Sequence, residues 1–313
     1  MPAQPPEAPE ERTVTPRTAR APASSANLGP GFDTLAIALG LYVEVACRPR
    51  PEGLLVHTVG EGAHLPRGPE HLAVQVAAGV LGHDRFELWV RSEVPVARGL
   101  GSSAALAVAA AAAAGAAEPY IHAVAVDGHP ENAAASALGG LVAAALVDGQ
   151  PVARPLPLDP ALRFVVLAPE RSLLTVEARQ VLARTVTRSD AVFNLSRMGL
   201  LVAGLADHRQ LVATAGDDRL HQDARSVLFA EAPRLLDGLR RAGALTSCWS
   251  GAGPSLLGIC RAPDAAGVAS AARALMAELG IPGPVLDLAP DLSGVMISEG
   301  VDEALWPETA ERR

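Results

Sequence analysis

Apolar and polar positions along this chain follow two rhythms. In "LYVEVACRP" the apolar Leu41, Val43 and Val45 alternate with Tyr42 and Glu44, the period of a strand with one buried face. "GLLVHTVG" and "RFELWVRSEV" continue that rhythm. Between them "HLAVQVAAGVLG" has the spacing of a helix that stops at Gly82. A run of alanine after Ser103 predicts a second helix, and "ENAAASALGGLVAAAL" a third that leads into a strand. "PVARPLPLDP" reads as a loop, after which "RFVVLAP" opens a new strand at Arg163. Helices follow around Val176–Leu182, Ala191–Leu205 and Ala230–Ala242. A hairpin-like "SCWSGAGPSLLGIC", the helix "AAGVASAARALMAELG" and a strand near "VMISEG" complete the pattern, with no internal repeat. Strands mixed with helix pairs predict an α+β fold in two domains, residues 16–162 and 163–313. Residues 1–15, rich in Pro and Glu, are expected to form a disordered tail.

Composition narrows the function. With 313 residues, 49% of them hydrophobic, the chain has ample length to bury a core. Its formal net charge of -8 argues against general nucleic-acid binding, which needs a basic face. No stretch has the pattern of a membrane span or a signal peptide, so a soluble, cytoplasmic protein is expected. Cys47, Cys248 and Cys260 are scattered without metal-ligand spacing and read as core residues. The chain contains no lysine. That excludes a Walker lysine, a Schiff base and the lysine-dependent protein-kinase arrangement. Phosphate chemistry here must draw on backbone amides, arginine and a metal.

Three glycine-bearing stretches carry the candidate chemistry. "PASSANLGPGFDTL" begins at Pro22, "VPVARGLGSSAAL" at Val94 and "SCWSGAGPSLLGI" at Ser247. Each alone is compatible with an ordinary turn. In the second, a glycine turn set against a helix start gathers unpaired N–H groups at the positive end of the helix dipole, where a phosphate binds. "GLGSSA" also satisfies the dinucleotide fingerprint G-x-G-x-x-A. The long approach through Pro95, and the lack of a second strand ending in an acid, count against that fold. Ser102 and Ser103 suit phosphate and Mg²⁺ better, since a hydroxyl can enter an octahedral shell.

Taken in order, the three stretches resemble the signature motifs of the galactokinase, homoserine kinase, mevalonate kinase and phosphomevalonate kinase (GHMP) superfamily. "PASSANLGPGFDTL", "DGHPENAAASALGGL" and "TVEARQVL…DAVFNLSR" are most similar to its homoserine kinases. The resemblance implies an N-terminal domain like ribosomal protein S5 domain 2 and a ferredoxin-like C-terminal domain, with ATP and substrate in the cleft between them. It implies that Arg98, Gly99, Leu100, Gly101, Ser102 and Ser103 surround the ATP phosphates, and that Ser103 and Asp127 hold Mg²⁺. Asp127 stands where the family usually has Glu. The implied reaction moves the γ-phosphoryl of ATP to the side-chain hydroxyl of L-homoserine, a step of threonine biosynthesis.

For the amino-acid substrate, Arg179 and Arg225 are the implied carboxylate partners, the guanidinium fork matching a carboxylate. Arg197 is a weaker candidate. Asn27 and Asp33 would take the ammonium and polar groups, with His129 and Asn132 nearby, and Asn27, Asp33, Asn132 and Arg179 form the implied catalytic set. Glu131, where the family commonly has Asp, is not assigned a base role. Homodimers are common in the family. Two other functions share these motifs: another GHMP small-molecule kinase, and a non-catalytic amino-acid or nucleotide sensor.

Overall fold

The computed structural model describes residues 15–301. Two sheets organise it. The larger contains β1 (Arg17–Ala26), β2 (Leu35–Pro49), β3 (Leu55–Gly60), β4 (Phe86–Ser92), β5 (Leu141–Val147) and β6 (Gln150–Leu156). The smaller is formed by β7 (Leu162–Leu167), β8 (Thr246–Trp249), β9 (Leu256–Arg261) and β10 (Val285–Leu288), in the order β10-β7-β9-β8. The last strand, β11 (Met296–Glu299), crosses back to the larger sheet and pairs with β1. Its path is β11-β1-β2-β4-β3, with β5 on the first half of β2 and β6 beyond it. The register of β1 on β2 shifts between Pro22 and Ala23, where proline has no N–H to give the ladder.

β3 and β4 are parallel, and α1 (Leu72–Leu81) is their crossover. The side chain of His71 accepts from Ala73 N–H at its start, and Gly82 closes it at φ 75°. The alanine run forms α2 (Ser102–Ala113), with Ala104, Ala105 and Ala107–Ala113 all buried. A helix apolar all round must be enclosed. Here the larger sheet lies against it together with α1, α3 (Pro119–Asp127) and α4 (Pro130–Leu138). Side chains this small let five elements approach one another closely. Each of α3 and α4 opens on a proline and stops at a glycine with positive φ, Gly128 and Gly139.

Helices α5 (Thr175–Gln180), α6 (Arg188–Ala206), α7 (Gln222–Arg225), α8 (Ala232–Arg241) and α9 (Ala262–Glu278) accompany the smaller sheet. β7 alternates between two cores. Phe164 and Val166 join Leu201 and Leu205 of α6, while Val165 and Leu167 join α8 and α9. All three cysteines are buried and unpaired, and burial pushes each thiol up to about 12.

One expectation fails locally. "PVARPLPLDP" is not a loop throughout, because Gln150–Leu156 is strand β6. It pairs with β5 alone, so it is an edge strand, where Pro151 and Pro155 remove no bond from a second ladder. The tail expected over residues 1–15 falls, apart from Thr15, outside the described residues.

Candidate active site

The three glycine stretches, far apart in sequence, meet at one point. Between β4 and α2 the chain turns through Ala97, Gly99 and Gly101, all at positive φ. A Cβ on Gly101 would run into Ser24 Oγ, and one on Gly99 into the carbonyl of Ser250. Only glycine fits a loop wedged this tightly between β1 and the β8–β9 connection. Backbone bonds fasten it: Ser24 N–H donates to Leu100 O at 3.1 Å, and Ser255 N–H to Arg98 O at 3.3 Å. Leu100 points into the core, so it anchors the loop. The first helical bond of α2 starts at Ala105 N–H, leaving the N–H groups of Ser102, Ser103 and Ala104 without helical acceptors.

A cavity of about 270 Å³ opens beside this helix start. Its wall brings together Asn27, Asp33, His129, Asn132, Arg179 and Arg225 with residues 98–103. Arg225 is 2% exposed, and no carboxylate pairs with it among the described residues. Its Nη1 donates to Gly251 O at 2.9 Å and to His221 Nδ1 at 3.0 Å. Burial, then Arg179, pulls its pKa down to about 10, which leaves it charged at neutral pH. His221 is held neutral. Its Nε2–H donates to Gly29 O at 2.9 Å, and burial lowers its pKa to about 4. The imidazole thus links the first glycine stretch to Arg225 and stacks on Phe32.

Arg179 makes a two-pronged ion pair with Asp33 across 146 residues, at 3.0 and 2.8 Å. Asn27, at φ 71°, donates from Nδ2 to Gly251 O at 2.8 Å and accepts from Asp33 N–H at 3.0 Å. It therefore braces the Asp33 turn against the β8–β9 connection. Asn132 accepts from Ser24 Oγ at 2.9 Å and donates to Glu131 Oε1 at 3.1 Å. His129 sits at the N-cap of α4, where its side chain makes no capping bond.

A second cavity, of about 290 Å³ and largely apolar, lies on the other side of Val96, Ser102 and Ser103, which line both. Val43, Leu65, Leu72, Val90 and Leu106 form its apolar wall. His71 is on its rim, with its pKa lowered by burial.

Most residues singled out in the sequence converge on the first cavity, with some changes of part. Asp33, expected to face an ammonium group, has both oxygens on Arg179. Arg197 does not line the cavity; its guanidinium stacks on Phe193 at 4.6 Å. Asp127 ends α3, two residues before His129, and its side chain lies outside the described residues. Two residues stand in the site without a part assigned to them from the sequence. Glu131 lines the cavity while 3% exposed, and His221 orients Arg225. In sequence Glu131 reads as a replacement for the family's Asp with no base role, and His221 as one polar residue among several.

Comparison with known proteins places this geometry. Residues 71–140 match the GHMP kinases N terminal domain, and residues 201–278 the GHMP kinases C terminal model. Fold and cleft together define an ATP-dependent small-molecule kinase of the GHMP type. The chain is 40% identical to a homoserine kinase of Rhodococcus erythropolis over 82% of its length and 90% of the relative's. It is 38% identical to one of Moorella thermoacetica, over 89% and 98%. A homoserine kinase from Cytophaga hutchinsonii superposes with a TM-score of 0.81 at 26% identity, covering 91% of this chain and 98% of that one. This chain belongs to the homoserine kinase family. Among the described residues no helix is long and apolar enough to cross a membrane.

Proposed function

We propose that the protein transfers the γ-phosphoryl of ATP to the side-chain hydroxyl of L-homoserine, giving O-phospho-L-homoserine, ADP and a proton. The observation that carries this reading is Arg225: a buried cation in the wall of the cavity, beside the phosphate-type helix start, with no carboxylate paired to it among the described residues. A substrate carboxylate supplies the missing anion. Arg179, fixed by Asp33, keeps further N–H donors for the same group. The triphosphate lies along Arg98–Ser103, whose free amides face developing negative charge, and the nucleoside occupies the apolar second cavity. Asn132, tied to Ser24, lies between phosphate loop and substrate and can hydrogen-bond the reacting hydroxyl.

The donor set suits Mg²⁺. Ser103 offers an exposed hydroxyl at the helix start with no partner among the described residues, and α3 brings Asp127 back to within two residues of the cavity wall. When bound with the nucleotide, the ion would neutralise phosphate charge, held by Ser103 and Asp127. The protein's own part is positioning and water exclusion, since a loose phosphoryl transition state needs little help from a base.

Purified protein with Mg-ATP, offered separately L-homoserine, L-threonine, L-serine, mevalonate, galactose and shikimate, tests the reading through ADP release. Turnover selective for L-homoserine supports it. Release with another alcohol alone overturns the substrate, and ATP binding without turnover on any of them favours the sensor.

A further inference from the structure

Arg225 is carried on α7, a single turn of helix, Gln222–Arg225. One turn does not hold its own shape in water, because nucleating it fixes several dihedrals for few bonds. A buried carboxylate holds it instead. Asp218, 6% exposed, stands on the loop that leads into α7. Its Oδ1 accepts from Asn194 Nδ2 and from Leu220 N–H, both at 2.8 Å. Its Oδ2 accepts from His221 N–H at 2.9 Å and Gln222 N–H at 2.7 Å. Four donors fill the carboxylate. Asn194 is itself buried in α6 and accepts from Arg219 N–H at 2.9 Å. Gln222 ties the turn to β8, accepting from Trp249 N–H at 2.8 Å and donating to Gly216 O at 2.9 Å.

The same carboxylate acts on Arg225 through His221. Asp218 Oδ2 lies 3.7 Å from His221 Nε2, and the other ring nitrogen, Nδ1, accepts from Arg225 Nη1. A direct pair, such as Asp33 with Arg179, occupies the guanidinium fork. A neutral ring between anion and cation keeps the attraction and leaves the fork open. Among the described residues Arg225 Nε and Nη1 have acceptors, and Nη2 has none. Burial and then Arg179 lower the pKa of Arg225, while Asp33 and Asp218 oppose them. We propose that Asp218 is the positioning residue of the substrate-carboxylate site: it sets the turn that aims Arg225 and serves as its counter-ion through His221, so that Nη2 is left for the substrate. Asp218 touches no substrate itself. This rests on the homoserine reading above and adds to it a residue outside the cavity wall.

The test is a double-mutant cycle of Asp218→Asn with Arg225→Met in the full chain, read as KM for L-homoserine, KM for ATP and kcat. Asp218→Asn keeps the shape, removes the charge and turns an amide N–H₂ toward two of the four donors. Alone it should raise KM for L-homoserine roughly tenfold, the coupling expected within one hydrogen-bond network. KM for ATP should stay within about twofold, because the phosphate loop is fastened separately, to Ser24 and Ser255. Added to Arg225→Met, the same substitution should change KM for L-homoserine by less than about twofold, since the group it aims is gone. Asn194→Ser takes one donor from Asp218 and leaves its charge. It repeats the cycle should Asp218→Asn fail to fold, with a rise of about threefold that again disappears without Arg225. Thermal melting of each variant separates a binding defect from a folding one. Losses that add in the double variant, an unchanged KM for L-homoserine, or a KM for ATP that rises in step overturn the proposal and leave the homoserine reading standing. A wild type inert on L-homoserine overturns both.

Discussion

Replacing Arg225 with methionine separates binding from stability more sharply than any other change in this cleft. In the free protein the fold holds Arg225 at a loss. Its pKa lies near 10, and the two to three units by which it is lowered correspond to about 3 kcal/mol against the charged form. Against this stand three hydrogen bonds, to Gly251 O, His221 Nδ1 and, at 3.4 Å, Ala178 O, worth roughly 1 kcal/mol each. The two sums nearly cancel. Gly251 O keeps a donor in Asn27. Arg225→Met should therefore melt within a few degrees of wild type, although the same truncation at an ordinary buried ion pair costs about 3 to 5 kcal/mol. Binding behaves differently. Losing the buried partner of a substrate carboxylate costs about 2 to 5 kcal/mol, a rise in KM of roughly 30-fold or more. A coupled assay of ADP release gives KM, and scanning calorimetry gives the melting temperature with and without L-homoserine. The variant should also lose the melting shift that substrate confers on wild type. A large drop in stability with KM unchanged would refute the reasoning and make Arg225 a structural residue.

Three further outcomes follow from the same geometry. Gly101→Ala forces a side chain at φ 64° into Ser24 Oγ, and should cost about 1 to 3 kcal/mol by urea unfolding and abolish nucleotide binding measured by calorimetry. Asp33→Asn breaks the pair with Arg179; both side chains are about two-fifths exposed, so stability should change by under ~1 kcal/mol while KM for L-homoserine rises. His221 is neutral in the fold with a pKa of about 4 and ordinary when unfolded, so its contribution is complete above about pH 6.5 and is lost as pH falls toward 4. Urea unfolding at pH 7 and pH 5 should differ by about 2 kcal/mol from this residue, among Asp218, Arg225 and Gly29, and His221→Asn should remove that share of the slope.

Local patterns carried much of this structure. The helix ending at Gly82 and the phosphate-type start at Gly101 each depend on neighbours a few residues away, and both were legible. β6 was not. Its two prolines argue for a loop unless one knows that the strand has a neighbour on one side only, and that is settled by the sheet. The Arg179–Asp33 pair spans 146 residues, so no local spacing could reveal that Asp33 is occupied. Glu131 is visible in the sequence as a replacement for the family's Asp, but its burial is not, because an acid in the first turn of a helix is ordinary on any solvated surface. Arg197 misled in the other direction: it carries the right charge, but the ring of Phe193 holds it away from the cavity.

The return of β11 to β1 gives the smaller sheet two anchorages in the larger one. The chain leaves through the segment between Leu156 and Leu162 and comes back through the segment between Leu288 and Met296. Arg179 and Arg225 belong to the body tied in this way, and Asn27, Asp33, Asn132 and Glu131 to the other. Between those segments the two bodies are also stitched directly, by Gly251 N–H to Ala26 O at 3.0 Å, Asn27 Nδ2 to Gly251 O at 2.8 Å and Ser250 Oγ to Ser25 Oγ at 2.8 Å. Two ends and a seam fix how the halves meet, so the guanidinium groups face the carboxylates in one register that the covalent path alone would not impose.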